Sequence, residues 1–336
     1  GKVNEEGLQF YEKLIDKLIE YEIEPMICLY HFDMPLALYE KYDGFSSRHV
    51  KDEFVKYGKI LVDRFHEKVK YWITFNEHNL YTIDMGFRIA GSKKEHTLEN
   101  IYNIQHYTLL AHSEIANYIH DKYEDLQIGG MLAYSPYYPA SSKPEDVLIA
   151  NQYDRFLSKL YISIFTGKNY PKFFTNYLEK NKINIDLTSE DKQIFDRLRS
   201  DFMSFSYYQS TTVKANGKDF NTLEMDQVID NEFVDRSEWN WEIDPIGLRI
   251  SMENIYADSN IPVFIIENGL GIREKLPEDE FIEDDYRIKY HDDHIREMKN
   301  AMKNGVECIG YLGWGLIDIP SSSGDMEKRY GAVYVN

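Results

Sequence analysis

Two short segments place a carboxylate directly after a run of apolar, β-forming residues: Thr74-Phe75-Asn76-Glu77 and Ile265-Ile266-Glu267-Asn268-Gly269. A carboxylate at the end of a buried strand is partly desolvated, which raises its pKa and suits it to general-acid work. Two such groups on one rim of a barrel can flank a glycosidic bond, one protonating the leaving oxygen while the other attacks the anomeric carbon. Either glutamate alone would serve equally well as a helix cap or a surface ion-pair partner; the matched pair is what points to sugar hydrolysis. A second cluster, His291-Asp292-Asp293-His294, has metal-binding residue types. It lies in a helical stretch with Ile288, Ile295 and Met298 and has no distant partners, so it reads as a solvated face and no metal is expected. Cys28 and Cys308 sit far apart in apolar runs and read as reduced core thiols, which places the chain in the cytosol.

The elements that must position these residues alternate along the chain. Apolar β-forming runs occur at 26–32, 71–75, 127–134, 203–208, 263–266 and 309–314, separated by helical patterns at about 4–21, 49–67, 98–123, 145–163, 245–257 and 285–304. Asn4 can cap the first helix, with Glu5 and Glu6 at the positive end of its dipole. This order predicts parallel strands joined by crossover helices. Polar residues collect at the strand C-termini: His31, Asn76, Glu77, Tyr208, Glu267, Asn268 and Asp318. That asymmetry suits an α/β fold of the (β/α)8 TIM barrel type, whose active site occupies the C-terminal rim, and the Gly-rich turn of a dinucleotide-binding sheet is absent from the sequence. Six of the eight units are legible, and residues 1–336 read as a single barrel domain.

Composition narrows the partners. The 336 residues include 38 Lys and Arg against 57 Asp and Glu, a formal net charge of −19 that repels nucleic acid and anionic membranes at long range. No apolar run approaches the length of a membrane span. An anionic small substrate would therefore need a local basic pocket.

The two glutamate segments resemble the acid/base and nucleophile signatures of glycoside hydrolase family 1, retaining β-glycosidases on a (β/α)8 barrel. Leu29-Tyr30-His31-Phe32-Asp33-Met34-Pro35, Trp241-Glu242-Ile243-Asp244-Pro245 and Trp314-Gly315-Leu316-Ile317-Asp318 resemble further family landmarks, in family order. The resemblance implies Glu77 as acid/base and Glu267 as nucleophile, with His31, Asn76, Tyr208 and Trp314 binding the sugar, Tyr208 hydrogen-bonded to the nucleophile, and no cofactor. It also implies that the first two barrel strands and the closing C-terminal part of relatives have no counterpart here.

Two departures point to a subfamily. Phe205-Ser206-Tyr207-Tyr208 has the form typical of 6-phospho-β-glucosidases. The stretch Ser321 to Tyr330 replaces the Glu-Trp by which glucosidases hold the outer hydroxyls, and a Glu there would repel a phosphate. By resemblance Ser321, Lys328 and Tyr330 are the phosphate ligands, and Ser322, where phospho-β-galactosidases have Trp, favours the gluco configuration. From composition alone the stretch would be a solvated Ser/Gly loop followed by a basic pair. The expected reaction is retaining hydrolysis of a 6-phospho-β-D-glucoside in the cytoplasm, with the two carboxyls roughly 5–5.5 Å apart. The alternatives are an inactive fragment, a sugar-phosphate-binding pseudoenzyme, or β-glucosidase or 6-phospho-β-galactosidase specificity. With two units unmatched, the edges at 26–32 and 309–314 are expected to lack partners, to weaken or abolish activity and to favour self-association.

Overall fold

A computed structural model describes residues 2–278, 281–319, 321 and 324–335. The chain divides into two compact units, Gly1–Met131 with Leu160–Phe202 and Leu132–Lys159 with Met203–Asn336.

The first unit opens with helix α1 (Glu5–Glu20), capped by the Asn4 side chain, which accepts from the Gly7 N–H at 3.2 Å. Strand β1 (Met26–Tyr30), helix α2 (Arg48–Phe65), strand β2 (Tyr71–Phe75), helix α3 (Leu98–Lys122) and the start of strand β3 (Gln127–Ala133) follow. The strands run parallel in the order β1-β2-β3, with Met26 opposite Tyr71 and Tyr71 opposite Gln127. Val62 and Phe65 of α2 and Leu109, Ile115 and Ile119 of α3 are buried, as crossover helices require. Phe45, Phe54 and Phe75 form an aromatic cluster against Tyr30 with mostly edge-to-face contacts and a tilted pair, Phe54 and Phe75, and this cluster anchors the strand ends.

In the second unit, helix α4 (Pro144–Asp154) runs into a π turn at Arg155–Lys159; helix α5 (Leu160–Phe165) belongs to the first unit. Strand β4 (Phe202–Ser206), helix α6 (Pro245–Ser259), strand β5 (Val263–Glu267), helix α7 (Asp285–Lys303) and strand β6 (Cys308–Tyr311) complete the repeat. Val263 lies opposite both Met203 and Cys308, so β4-β5-β6 are again parallel. Asp244 caps α6 by accepting from the Gly247 N–H at 2.9 Å.

All six expected strands are present. The sequence pattern missed the helices Lys172–Lys180 and Ser189–Arg197 and two small accessory sheets, whose short elements lack a sustained period. Two readings need correction. Cys28 is exposed and Cys308 half-buried, because among the described residues β1 is hydrogen-bonded to β2 alone and β6 to β5 alone, and an apolar run on a one-sided strand overstates burial. His291 and His294 do not lie on a solvated face: His294 is fully buried, its Nδ1 donating to the Tyr290 carbonyl at 2.7 Å, while Asp292 and Asp293 pair with Arg296 on the outer face of α7. Among the described residues no group of three His, Cys, Asp or Glu side chains is placed to hold a metal, and no helix is long and apolar enough to cross a membrane.

Candidate active site

The first unit carries Glu77. Trp72 through Phe75 are buried, and Thr74 reaches the buried His112 ring at 2.8 Å. The Asn76 N–H still donates to the Tyr30 carbonyl at 2.9 Å, so the ladder holds to that residue and then breaks. Glu77 adopts φ 42° and ψ 56°, a left-handed conformation that is strained for a residue with a side chain. Its N–H donates to the Met131 sulfur at 2.7 Å, and its carbonyl starts the tight turn His78–Thr82 by accepting from Leu80. The sharp break turns the chain at the strand end. Asn76 is buried and its Nδ2 donates to His31 Nε2 at 3.2 Å, bringing two of the expected sugar ligands together. Nε2 must therefore be unprotonated. Desolvation also lowers the His31 pKa, favouring the neutral ring, with Asp33 acting in the opposite direction.

The second unit carries Glu267, which stays within the ladder: it pairs with Ser206, and its carbonyl accepts from the Tyr207 N–H at 2.9 Å. Its side chain is buried, and the Tyr208 hydroxyl donates to Oε2 at 2.8 Å. The next residue, Asn268, is fully buried and anchored through every polar group of its side chain. Nδ2 donates to the Tyr207 carbonyl at 2.7 Å and the Tyr290 hydroxyl at 3.0 Å, and Oδ1 accepts from the Tyr311 hydroxyl at 2.7 Å. Since the Tyr311 proton is committed to Asn268, His291 Nδ1, 2.8 Å away, must donate to the Tyr311 oxygen. The Asn268 carbonyl accepts from the Trp314 N–H at 2.9 Å, which ties the half-buried indole to the nucleophile strand.

The expected phosphate ligands depend on a two-residue antiparallel bridge between Ile272 and Arg329. Side chains alternate across extended backbone. Lys328 and Tyr330 are accordingly buried, while the Arg329 guanidinium turns to Asp318 at 2.7 Å. Asp318, read from sequence as a rim polar group, is a structural partner instead: it also accepts from the Gly331 N–H at 2.9 Å, because the segment that holds it lies beyond β6 rather than at a strand end. Burial pushes the Lys328 ammonium down to about 8, with Asp325 pulling the other way. Ser321 holds its own loop, accepting from the Asp325 N–H at 3.3 Å. Ser322 lies outside the described residues.

Tyr208 links the two parts of this unit: its ring lies 5.4 Å from that of Trp241 and 6.4 Å from that of Tyr330. Sequence reasoning missed Tyr290 and Tyr311 as supports of Asn268. Their only signal was tyrosine on a helix and a strand, in a chain with 27 tyrosines.

A family model described as Glycosyl hydrolase family 1 matches residues 1–336. The aryl-phospho-β-D-glucosidase BglH of Bacillus subtilis is 38% identical over 339 residues, covering 99% of this chain and 72% of that protein. A 6-phospho-β-glucosidase of Dickeya chrysanthemi has the same identity and coverage over 339 residues. Among solved structures, a family 1 β-glucosidase from Thermotoga maritima superposes with a TM-score of 0.88 at 27% identity, covering 100% of this chain and 74% of that one. The fold is thus the α/β TIM-barrel type, and the chain belongs to glycosyl hydrolase family 1.

Proposed function

We infer that the chain is a glycosidase directed at 6-phospho-β-D-glucosides, working by retention. The observation that carries the substrate class is the buried ammonium of Lys328, set beside Tyr330 by the bridge at Ile272 and Arg329 in the unit that also holds Glu267. A buried lysine with no carboxylate within 4.0 Å among the described residues suits an anionic group such as a sugar phosphate. The names of relatives, an aryl-phospho-β-D-glucosidase and a 6-phospho-β-glucosidase, support the same class.

In this reading Glu267 attacks the anomeric carbon, with the Tyr208 hydroxyl stabilising its carboxylate and orienting Oε2. Glu77 protonates the leaving oxygen and then deprotonates the water that releases the covalent sugar. Asn76 and His31 bind ring hydroxyls, Trp314 supplies an apolar platform, and Ser321, Lys328 and Tyr330 hold the phosphate. The proposal extends to a cytoplasmic setting and to self-association through β1 and β6, each paired on one side among the described residues.

The test is turnover of 4-nitrophenyl 6-phospho-β-D-glucoside against the unphosphorylated glucoside, with the first-formed anomer read by proton NMR. Preference for the phosphorylated substrate with β product supports the proposal. An α product would replace retention by inversion, and binding without turnover would make the chain a sugar-phosphate-binding pseudoenzyme. Light scattering checks self-association, which a monodisperse monomer at all concentrations would refute.

A further inference from the structure

Lys328 is buried, yet among the described residues no carboxylate lies within 4.0 Å of its ammonium. Aromatic faces take that place. The Lys328 Nζ sits 3.5 Å from the ring centroid of Trp241, 5.2 Å from that of Trp239 and 5.4 Å from that of Tyr330, all within the range over which a ring face attracts a cation. Room for the lysine stem comes from Gly271: a Cβ there would lie 2.8 Å from Lys328 Cε, 2.9 Å from its Cγ and 3.2 Å from Tyr330 Cζ.

We propose that Trp239 and Trp241 are specificity-determining residues, forming with Tyr330 an aromatic cage that holds the Lys328 ammonium in place for a dianionic sugar phosphate. This rests on the reading of Lys328 as a phosphate ligand. The choice of rings over carboxylates has a physical reason. A carboxylate would hold the ammonium tightly but would have to be displaced by the phosphate and would repel it, whereas a ring face attracts the cation without carrying a competing charge.

The surrounding charges fit this arrangement. Asp325, whose field favours the charged lysine, is tied elsewhere: Oδ2 accepts from Trp239 Nε1 at 3.2 Å and Oδ1 from the Glu327 N–H at 2.9 Å. Trp239 thus also restrains Asp325. Arg273 covers Trp239 at 4.6 Å and is paired with Glu327 at 3.2 Å, while its backbone N–H is held by Glu238. Tyr208, beside Trp241, is bonded to Glu267. With the lysine pushed down to about 8 by burial, a dianion arriving above that pH draws a proton onto Nζ, and losing the cage must make that proton harder to hold.

The experiment is calorimetric titration of the whole chain with glucose 6-phosphate and with glucose near pH 8, in buffers of different ionisation enthalpy. It compares the parent chain with Trp239→Leu, Trp239→Phe and Lys328→Met. Trp241 is left intact because its neighbour Tyr208 touches Glu267. For Trp239→Leu the ratio of glucose 6-phosphate to glucose affinity should fall roughly 2- to 30-fold, with more protons taken up per phosphate bound, and Trp239→Phe should recover most of it. An unchanged ratio, or proton uptake that does not move, overturns the cage. Retention of phosphate preference in Lys328→Met overturns instead the assignment of Lys328 as a phosphate ligand.

Discussion

Glu77 and Glu267 follow nearly the same kind of sequence, an apolar strand ending in a carboxylate, but the two strand ends are built differently. At Glu77 the ladder stops one residue earlier, the backbone turns left-handed, and a methionine sulfur receives the N–H. At Glu267 the ladder continues, and the carboxylate meets the tyrosine hydroxyl of Tyr208 while Asn268 is locked by Tyr207, Tyr290 and Tyr311. At Glu77 the backbone leaves the strand in a left-handed turn, while at Glu267 the carboxylate accepts from a tyrosine hydroxyl within a continuing ladder. The difference suits the proposed nucleophile: such a group must stay ionised, and a donor such as the Tyr208 hydroxyl stabilises the charged form.

The sharpest way to break this comparison is to remove each carboxylate. Glu267→Ala should reduce turnover of 4-nitrophenyl 6-phosphoglucoside by about 10⁴-fold or more, with added azide restoring activity as the inverted glycosyl azide. Glu77→Ala should hurt substrates with poor leaving groups most, and equal losses for good and poor leaving groups would remove its acid role. Next in size, Lys328→Ala should lower kcat/KM for the phosphorylated substrate by roughly 10²–10³-fold while sparing the plain glucoside, since it removes a charge-assisted partner of the phosphate. Equal loss for both substrates would assign Lys328 to the fold.

Smaller effects sharpen the contrast between the two strand ends. Tyr208→Phe should lower kcat/KM by roughly 10-fold or somewhat more, the worth of a hydrogen bond to a charged group, and shift the acidic limb of the pH–rate profile upward. Met131→Leu should leave that limb in place while lowering the unfolding free energy by about 1 kcal/mol, because it strands the Glu77 N–H. If Met131→Leu moved the limb and Tyr208→Phe did not, the comparison would be reversed.

Buried imidazoles give a stability test in each unit. Burial pushes His112 down to about 3 and His294 to about 4, so both are neutral in the folded chain at pH values where the unfolded chain binds protons. The unfolded state therefore takes up more protons below about pH 6.5, and stability should be full above that pH and fall as the pH drops toward the folded values. Urea midpoints measured from neutral to about pH 4.5 should decline, and His294→Gln should flatten that decline. A slope unchanged by His294→Gln would show that other groups carry the acid sensitivity.

Much of this was legible in the residues themselves. The six strands and their crossover helices follow from apolar runs and helical spacing, since local burial patterns depend on sequence separation of a few residues. The two strand-end glutamates stood out by residue type and position, whereas Tyr208 and Lys328 were singled out as site candidates through the family resemblance. Only the tertiary structure decided how those groups are held. Nothing local says that Glu77 turns left-handed on a sulfur 54 residues away, or that Tyr311 and Tyr290 share Asn268. The exposure of Cys28, the burial of His294 and the pairing of Asp318 with Arg329 were misjudged for the same reason. Burial and hydrogen bonding at a site depend on which distant segments arrive beside it. Lys328 shows the division most plainly: its charge is written in the sequence, but the Trp239 and Trp241 faces against it exist only once the chain has folded.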